Sequence, residues 1–227
     1  MNPILKRIIT ALTVAAVVVC GVVFLPKVVI AVVLCALIAL AVVEYSMLLS
    51  KKLKPASAGF IAALAVGAAL IVGGLAALPY ILFKSENGSI ALLAVVAMVK
   101  LSDMGGFAFG MLSAKFMKGG NHKLCPTISP NKSWEGLFGS IFGSFLASYG
   151  FLSGPDFGWG SALLLGLAAA LVGTFGDLVE SKFKRWVGVK DSSTISWFNG
   201  MGGVLDMLDS LLFAPAVVYF LMQAFKV

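Results

Sequence analysis

The sequence predicts an all-α protein, a polytopic transmembrane bundle of about seven helices. Of its 227 residues, 60% are hydrophobic and only 12% are charged, and the mean hydropathy is +1.02. Soluble domains carry about 25% charged residues. Most of the surface is therefore predicted to face lipid, and the net charge of +7 is interpreted as a feature of membrane topology rather than of nucleic-acid binding.

Seven apolar segments account for the predicted helices. Each can satisfy its own backbone hydrogen bonds as a helix, which hydrocarbon requires, and a spanning helix takes roughly 20 residues. The first segment follows Lys6 and Arg7 as in a signal peptide, but no small-residue cleavage site follows it, so we expect a retained helix. The segments lie at roughly 8–25, 28–49, 58–83, 89–112, 135–153, 160–180 and 203–225.

The basic residues predict which end of the bundle faces the cytoplasm. With a cytoplasmic amino terminus and alternating helices, 13 of the 17 basic residues fall on the inner side and three on the outer side. Because Lys and Arg accumulate in cytoplasmic loops, we expect a multi-pass protein of the cell (inner) membrane with its amino terminus inside. The inner residues are Lys6, Arg7, Lys51, Lys52, Lys54, Lys115, Lys118, Lys123, Lys132, Lys182, Lys184, Arg185 and Lys190.

The acidic residues gather at the same face. On this topology, eight of the ten fall in an inner loop or in the inner half of a helix. Several lie within apolar runs, where a charge costs a few kcal/mol or more and usually marks function. The eight are Glu44, Asp103, Glu135, Asp177, Glu180, Asp191, Asp206 and Asp209.

One acidic group closes the sixth apolar segment. Asp177, Glu180 and Ser181 are spaced by three and four residues, so they share one helical face. The basic run 182–185 follows one turn later. The alternative interpretation is a helix end whose carboxylates are neutralised by the neighbouring lysines.

A second group leads into the seventh segment. Lys190-Asp191-Ser192-Ser193 is followed by Gly200-Met201-Gly202-Gly203, and glycines would let the backbone approach a phosphate closely. Asp206 and Asp209 then stand three residues apart on one predicted helical face. The helix dipole favours acidic residues near a helix amino terminus, but it does not explain two carboxylates on an otherwise apolar helix.

Two further groups lie upstream. The inner loop 115–134 holds His122, Lys123 and part of the run 129–136, whose hydroxyls, lysines and amide suit a polyphosphate. A solvated loop with lysines at the lipid surface is the alternative. Lys100 and Asp103 lie within the fourth segment, where an internal ion pair is the alternative.

Carboxylates that can hold a divalent metal, next to lysines that can hold phosphates, are what phosphoryl and nucleotidyl transfer require. The bilayer supplies the other reactant, so the residues alone predict an enzyme that joins a phosphate-bearing soluble compound to a lipid. The cysteines at 20, 35 and 125 lack metal-ligand spacing and are interpreted as ordinary thiols.

Three motifs extend this prediction. The carboxy-terminal part reads Ser181-x-Phe183-Lys184-Arg185, then Lys190-Asp191-Ser192-Ser193, then Gly202-Gly203-x-x-Asp206-x-x-Asp209. Upstream lie Ser129-Pro130-Asn131-Lys132-Ser133-Trp134-Glu135-Gly136 and Asp103 with Gly105. Together they resemble the phosphatidate cytidylyltransferases, or CDP-diacylglycerol synthases, whose corresponding upstream motifs are Ser-Pro-Lys-Lys-Thr-Trp-Glu-Gly and Asp-Ser-Gly.

The resemblance implies that CTP and phosphatidate are converted to CDP-diacylglycerol and pyrophosphate with Mg2+. It leaves open whether a monovalent cation joins Mg2+ and whether the chain forms a homodimer, and it implies no nucleic-acid partner. On this interpretation, residues 1–227 form a single membrane-embedded domain. Amino-terminal helices occupy 1–100, and catalytic helices with cytoplasmic loops occupy 101–227.

The resemblance also implies roles for individual residues. Asp177 and Asp206 would bind the metal, and Asp209 and Asp191 would support it. Lys190 is expected to act with them and, like the other basic residues, to hold a phosphate. The remaining residues expected at the substrate site are Ser129, Pro130, Asn131, Lys132, Ser133, Glu135, Ser181, Lys184, Arg185, Asp103 and Lys123.

The sequence departs from the family pattern at three functional positions. Met201 stands where a histidine is usual, and Met207 and Met111 stand where arginines are usual. A catalytically inactive relative and an enzyme of altered lipid specificity are therefore alternatives. A transporter is the alternative from another class, although its charges would lie near the midplane, often with internal repeats. A CDP-alcohol phosphotransferase would carry an Asp-Gly, Ala-Arg, Gly, Asp, Asp array, which we do not find.

Overall fold

The computed structural model describes residues 3–85, 87–118, 120–152, 158–190, 192 and 203–225, with side chains from residue 13 onwards. Within these ranges the chain is almost entirely helical. The helices are α1 (Pro3–Phe24), α2 (Lys27–Ser50), α3 (Ala58–Leu75), α4 (Ala77–Lys84), α5 (Gly88–Phe116), α6 (Trp134–Leu152), α7 (Trp159–Val187), α8 (Val204–Leu208) and α9 (Ala214–Ala224). Strands β1 (Lys123–Cys125) and β2 (Ser129–Ser133) form an antiparallel hairpin, and Asp209–Leu211 forms a 3-10 turn.

The predicted all-α transmembrane bundle is confirmed. Each of the seven apolar segments is largely helical, and within the described residues five stretches are long and apolar enough to cross a membrane. Large apolar side chains cover the outward faces of these helices, as expected for contact with lipid. The five stretches are Lys27–Ser50, Ala58–Lys84, Gly88–Phe116, Trp159–Val187 and Val204–Ala224.

Two segments differ from the predicted single helices. The third is divided at Ala76 into α3 and α4. The seventh stops at Leu208, continues as a 3-10 turn, and resumes as α9 only at Ala214. Asp206 therefore lies in α8 while Asp209 begins the 3-10 turn, so the expectation of one continuous helix over 203–225 is wrong.

The loop predicted at 115–134 is shorter and more ordered than expected. Helix α5 continues to Phe116, and the hairpin fills most of the interval before α6. Lys123 pairs with Ser133, and Cys125 pairs with Ser129. The hairpin thus folds the segment 129–133 back beside the start of α6, where its polar side chains contribute to the candidate site.

The core joins the central helices of the bundle. Leu48 of α2, Leu82 of α4, Val95 and Met98 of α5, and Leu165 of α7 are fully buried and belong to one apolar cluster. Residues on α9, including Val218, complete it. This packing fixes α5 and α7, two of the elements that carry the candidate site.

Helices α5 and α6 pack through glycines. A Cβ atom at Gly139 would overlap with the carbonyl oxygen of Gly105 and the side chain of Phe109, and one at Gly143 would overlap with the backbone of Leu101. Small residues allow such close approach between membrane helices, where packing rather than water drives association. The backbone contact between α5 and α6 sets the width of the cavity described below.

We expect Gly139→Ala to destabilise the bundle by about 1–3 kcal/mol, because the added methyl group overpacks a rigid backbone contact. Gly150→Ala is the matched control on the same helix, since nothing lies within 4 Å of its Cβ position. That substitution should be neutral or stabilise by up to about 1 kcal/mol, because alanine favours helix. Unfolding in mixed detergent micelles measures both, and equal stability of the two variants would contradict the glycine contact.

Candidate active site

A cavity of about 270 Å3 opens between α5, the hairpin, α6 and α7. Its apolar wall includes Phe107, Leu124 and Leu137. The rest is polar, and five of its residues come from the predicted substrate segment and from α5. The polar side chains are Asp103, Ser129, Asn131, Lys132, Ser133, Ser140, Thr174 and Asp177.

Lys132 and Asp177 form an ion pair in the cavity wall. Lys132 Nζ lies 2.5 Å from Asp177 Oδ2, and both side chains are mostly shielded from solvent. Ser181, one helical turn further along α7, donates from Oγ to Asp177 Oδ1 at 3.3 Å. The fold thus joins the upstream motif to the carboxy-terminal motif, as one substrate site requires.

The hairpin is held in place by the residues that follow it. Ser133 Oγ accepts a hydrogen bond from Gly136 N at 3.1 Å and so caps the amino terminus of α6. Glu135 accepts from His122 N at 3.2 Å and contacts His122 Nδ1 at 2.7 Å. Asn121 Nδ2 donates to Gly110 O of α5 at 3.0 Å. Glu135 therefore holds the start of the hairpin through His122 without lining the cavity, while Ser133 both caps α6 and lines the cavity.

Three carboxylates converge beside the cavity. Asp177, Glu180 and Asp209 each offer an oxygen atom, and these atoms lie within 4.8 Å of one another. Glu180 is only 4% exposed, and its Oε1 accepts no hydrogen bond among the described residues. Oxygen ligands of this kind suit Mg2+. A buried, unpartnered carboxylate oxygen next to two further carboxylates fits a divalent cation.

Lys184 connects this cluster to Asp206. Its Nζ lies 2.5 Å from both Glu180 Oε2 and Asp206 Oδ1. Asp206 Oδ2 also accepts from Ser192 N at 2.9 Å and from Gly203 N at 3.0 Å. Lys184 thus bridges two buried carboxylates and offsets part of their charge, and Asp206 joins Ser192 to Gly203.

The predicted metal pair and the observed cluster share only Asp177. Asp206 uses both oxygens on Lys184 and on backbone N–H groups, whereas Glu180 and Asp209 lie with Asp177. Glu180 was noted in the sequence for its spacing but was not expected to act at the site. The sequence shows only that Glu180 is a charged residue in an apolar run. Its burial, which distinguishes it from the other acidic residues, is a property of the fold.

Asp103 lines the cavity from α5 and is tied to the turn after α8. Asp103 Oδ2 accepts from Ser210 Oγ at 2.8 Å, and Lys100 Nζ lies 3.6 Å from the same carboxylate oxygen. The alternative of an internal Lys100–Asp103 ion pair is thus present in the structure. Ser210 carried no signal in the sequence, because its role depends on contact between α5 and the 3-10 turn.

The remaining predicted residues are more dispersed. Lys123 and Pro130 are exposed on the hairpin, and Lys190 is exposed after α7. Arg185 donates from Nη1 to Val189 O at 3.2 Å, near Gly188, whose φ of +86° ends the helix. Asp191 lies outside the described residues, as does most of the segment Asn199–Gly203.

Sequence reasoning underrated Glu44. This residue of α2 is 1% exposed, and its Oε2 accepts from Leu205 N at 2.8 Å, which holds the first turn of α8. A charge in an otherwise apolar helix is the sequence signal that could have found it. Thr174, which lines the cavity from α7, has no comparable signal because hydroxyl residues are common in membrane helices.

Several known proteins have sequences similar to this chain. The phosphatidate cytidylyltransferase of Staphylococcus aureus (strain COL) is 43% identical over 129 residues, covering 56% of this chain and 46% of that protein. The proteins of the same name from Mycobacterium bovis and Mycobacterium tuberculosis (strain H37Rv) are 42% identical over 130 residues, covering 56% of this chain and 39% and 37% of theirs. The chain thus spans less than half the length of these curated relatives.

A sequence model described as the cytidylyltransferase family matches residues 47–225, which is more than half of the chain. The matched range begins in α2 and contains the hairpin, α5 to α7 and the broken seventh segment. It therefore includes every residue of the cavity and of the carboxylate cluster. The chain belongs to the cytidylyltransferase family.

Proposed function

We propose that this chain transfers the cytidylyl group of CTP to phosphatidate, forming CDP-diacylglycerol and pyrophosphate. The observation that carries the proposal is the junction of the cavity with the cluster of Asp177, Glu180 and Asp209, in a helix bundle of the cytidylyltransferase family. The relatives named phosphatidate cytidylyltransferase support the choice of substrates. Apolar spanning helices beside the cavity suit a substrate that stays in the bilayer.

The chemistry needs no nucleophile from the protein. An oxygen of the phosphatidate phosphate forms a bond to the α-phosphorus of CTP, the bond from that phosphorus to the bridging oxygen breaks, and pyrophosphate leaves with the electron pair. Lys132 would bind phosphate oxygens in the cavity, and Lys184 would offset part of the negative charge of Glu180 and Asp206. In-line transfer of this kind depends mainly on positioning and on stabilising charge.

The carboxylate cluster is proposed to hold Mg2+. Asp177, Glu180 and Asp209 would supply its protein ligands, and the buried Glu180 oxygen without a hydrogen bond is the feature that favours a cation there. When bound, Mg2+ would stabilise the negative charge that builds up on the phosphates. Asp206, which the family resemblance places at the metal, would act through Lys184 and the backbone around Ser192.

We expect Lys132→Gln to raise the KM for CTP by about 10- to 100-fold with a smaller effect on kcat, since a charged hydrogen bond is worth about 1.5–3 kcal/mol. Lys118→Gln is the matched control, because Lys118 is exposed in the same loop region and does not line the cavity. Steady-state kinetics at varied CTP separates the two parameters. Equal KM values for both variants would remove Lys132 from the phosphate site.

The active site is proposed to face the cytoplasm from the cell membrane, on the basis of the asymmetric lysines and arginines. In a variant without native cysteines, Lys118→Cys should react with a membrane-impermeant maleimide in inverted vesicles but not in intact spheroplasts. Lys84→Cys, exposed at the other end of the sequence-based topology, should show the opposite pattern. The reverse labelling would invert the proposed orientation.

The proposed reaction is tested with CTP labelled on either the α- or the γ-phosphorus. Purified protein in detergent with phosphatidate and Mg2+ should move α-label into the lipid phase and leave γ-label in pyrophosphate. Entry of γ-label into lipid would mean phosphoryl rather than cytidylyl transfer. Binding of CTP with neither label entering lipid, in folded protein, would identify a catalytically inactive relative.

A further inference from the structure

Lys100 lies inside the apolar helix α5, outside the cavity, and has no part in the mechanism above. Its ammonium group meets three acceptors. Nζ donates to Met207 O at 2.9 Å and to Ser210 Oγ at 3.1 Å, and it lies 3.6 Å from Asp103 Oδ2. An ammonium group has three hydrogens. Two of them are used in hydrogen bonds to the segment after α7, and the ion pair with Asp103 adds to these contacts, so Lys100 is bound mainly to the protein itself.

These acceptors lie at the break in the seventh segment. Met207 is near the end of α8, where carbonyl oxygens lack intrahelical partners. In a membrane-spanning stretch, water cannot satisfy such a group, and each unpaired one costs several kcal/mol. Ser210 lies in the 3-10 turn and donates a hydrogen bond from Oγ to Asp103 Oδ2 at 2.8 Å. Lys100 and Asp103 together therefore bond two of the polar groups at the break, the Met207 carbonyl oxygen and the Ser210 hydroxyl.

The same turn places Asp209 in the carboxylate cluster. Asp209 lies between Met207 and Ser210, and its Oδ1 accepts from Ser210 N at 2.5 Å. Its carbonyl oxygen packs against α7, where a Cβ at Gly176 would lie 2.5 Å away. The helical geometry is lost at Leu208, whose φ is −107° and ψ is −2°, directly before Asp209, so a regular helix through 204–224 would place Asp209 differently against α7. The position of Asp209 thus depends on the break being maintained.

We propose that Lys100 is a positioning residue that maintains the break between α8 and α9 and thereby keeps Asp209 beside Asp177 and Glu180. The expected effect of Lys100 on turnover rests on the proposed function, whereas its expected effect on the break between α8 and α9 does not. Replacing a residue that holds a metal ligand in position typically lowers metal affinity or enzyme activity by about 10- to 100-fold. Lys100 is thus expected to act on turnover without contacting CTP or phosphatidate.

The test combines hydrogen exchange with kinetics on Lys100→Met, which keeps the length of the side chain and removes its donors. Amide exchange over 204–213, followed by mass spectrometry in detergent, should become faster, while exchange in α6 stays as in the parent. The kcat should fall about 10- to 100-fold, and the KM for CTP should stay within about threefold. Lys84→Met, which removes an exposed lysine at the end of α4, should change neither.

Unchanged exchange over 204–213 would overturn the proposal, and so would faster exchange with an unchanged kcat. If the parent transfers no cytidylyl group, the proposed function fails, while the exchange measurement still decides whether Lys100 holds the break. Should Lys100→Met not fold, Ser210→Ala replaces it, because it removes one acceptor of Lys100 and the donor to Asp103. Exchange over 204–213 that is no faster in Ser210→Ala would then overturn the proposal.

Discussion

Asp209→Asn should lower the kcat for cytidylyl transfer by about 100-fold or more. The substitution keeps the shape of the side chain and removes one of the three charges that converge with Asp177 and Glu180. A bound metal contributes several kcal/mol of charge stabilisation, and each 1.4 kcal/mol corresponds to a tenfold change in rate. Initial rates at saturating CTP and phosphatidate, across a range of Mg2+ concentrations, measure the effect.

The matched control for Asp209→Asn is Asp156→Asn, since the sequence places Asp156 in an outer loop, away from the acidic face. The control should keep the parent rate. Because asparagine can still accept the hydrogen bond from Ser210 N, the fold of Asp209→Asn should survive. A kcat within threefold of the parent would show that Asp209 takes no part in holding the metal.

Lys184→Met should destabilise the protein by about 3–5 kcal/mol, the cost of leaving buried charges without their partner. Lys184 is 11% exposed and lies between Glu180 and Asp206, whose side chains are 2% and 13% exposed. Without the ammonium group, two carboxylates would repel each other in a space that little water reaches. The free energy of unfolding in mixed micelles measures this effect.

Lys182→Met is the matched control for Lys184→Met, because Lys182 is exposed on the same helix two residues earlier. It should change stability by no more than about 0.5 kcal/mol. A double-mutant cycle with Asp206→Asn isolates the contact, and the combined variant should lose less than the sum of the single losses. Additive losses would mean that Lys184 and Asp206 do not stabilise each other.

The sequence was sufficient for the bundle because apolar length and the distribution of charge are local properties. It also placed Asp103, Lys132 and Asp177 at a common site, and the fold brings them to one cavity. The break at 209–213 was missed, although Pro215 at the start of α9 is a local signal for it, because proline cannot donate to the carbonyl four residues earlier. Contacts from Lys100 and Asp103 of α5 add to this signal, and no local pattern contains them.

The grouping of the carboxylates could not be predicted for the same reason. Asp206 and Asp209 both meet α7, but Asp206 contacts Lys184 whereas Asp209 lies with Asp177 and Glu180, and their spacing does not indicate which partner each takes. Likewise, Glu44 lies 161 residues before its partner Leu205. Which residues form such contacts depends on how α2, α5 and α7 pack against the rest of the chain, and the sequence of a single helix does not contain that information.

The most direct test of the central claim compares the parent with Asp177→Asn, the residue shared by the cavity and the carboxylate cluster. Both proteins are purified in detergent and given phosphatidate, Mg2+ and α-labelled CTP, and the label in the lipid phase is counted. We predict CDP-diacylglycerol from the parent and at most about one hundredth of that rate from Asp177→Asn. Equal labelling by both, or none by a folded parent, would contradict the proposed enzyme and its site.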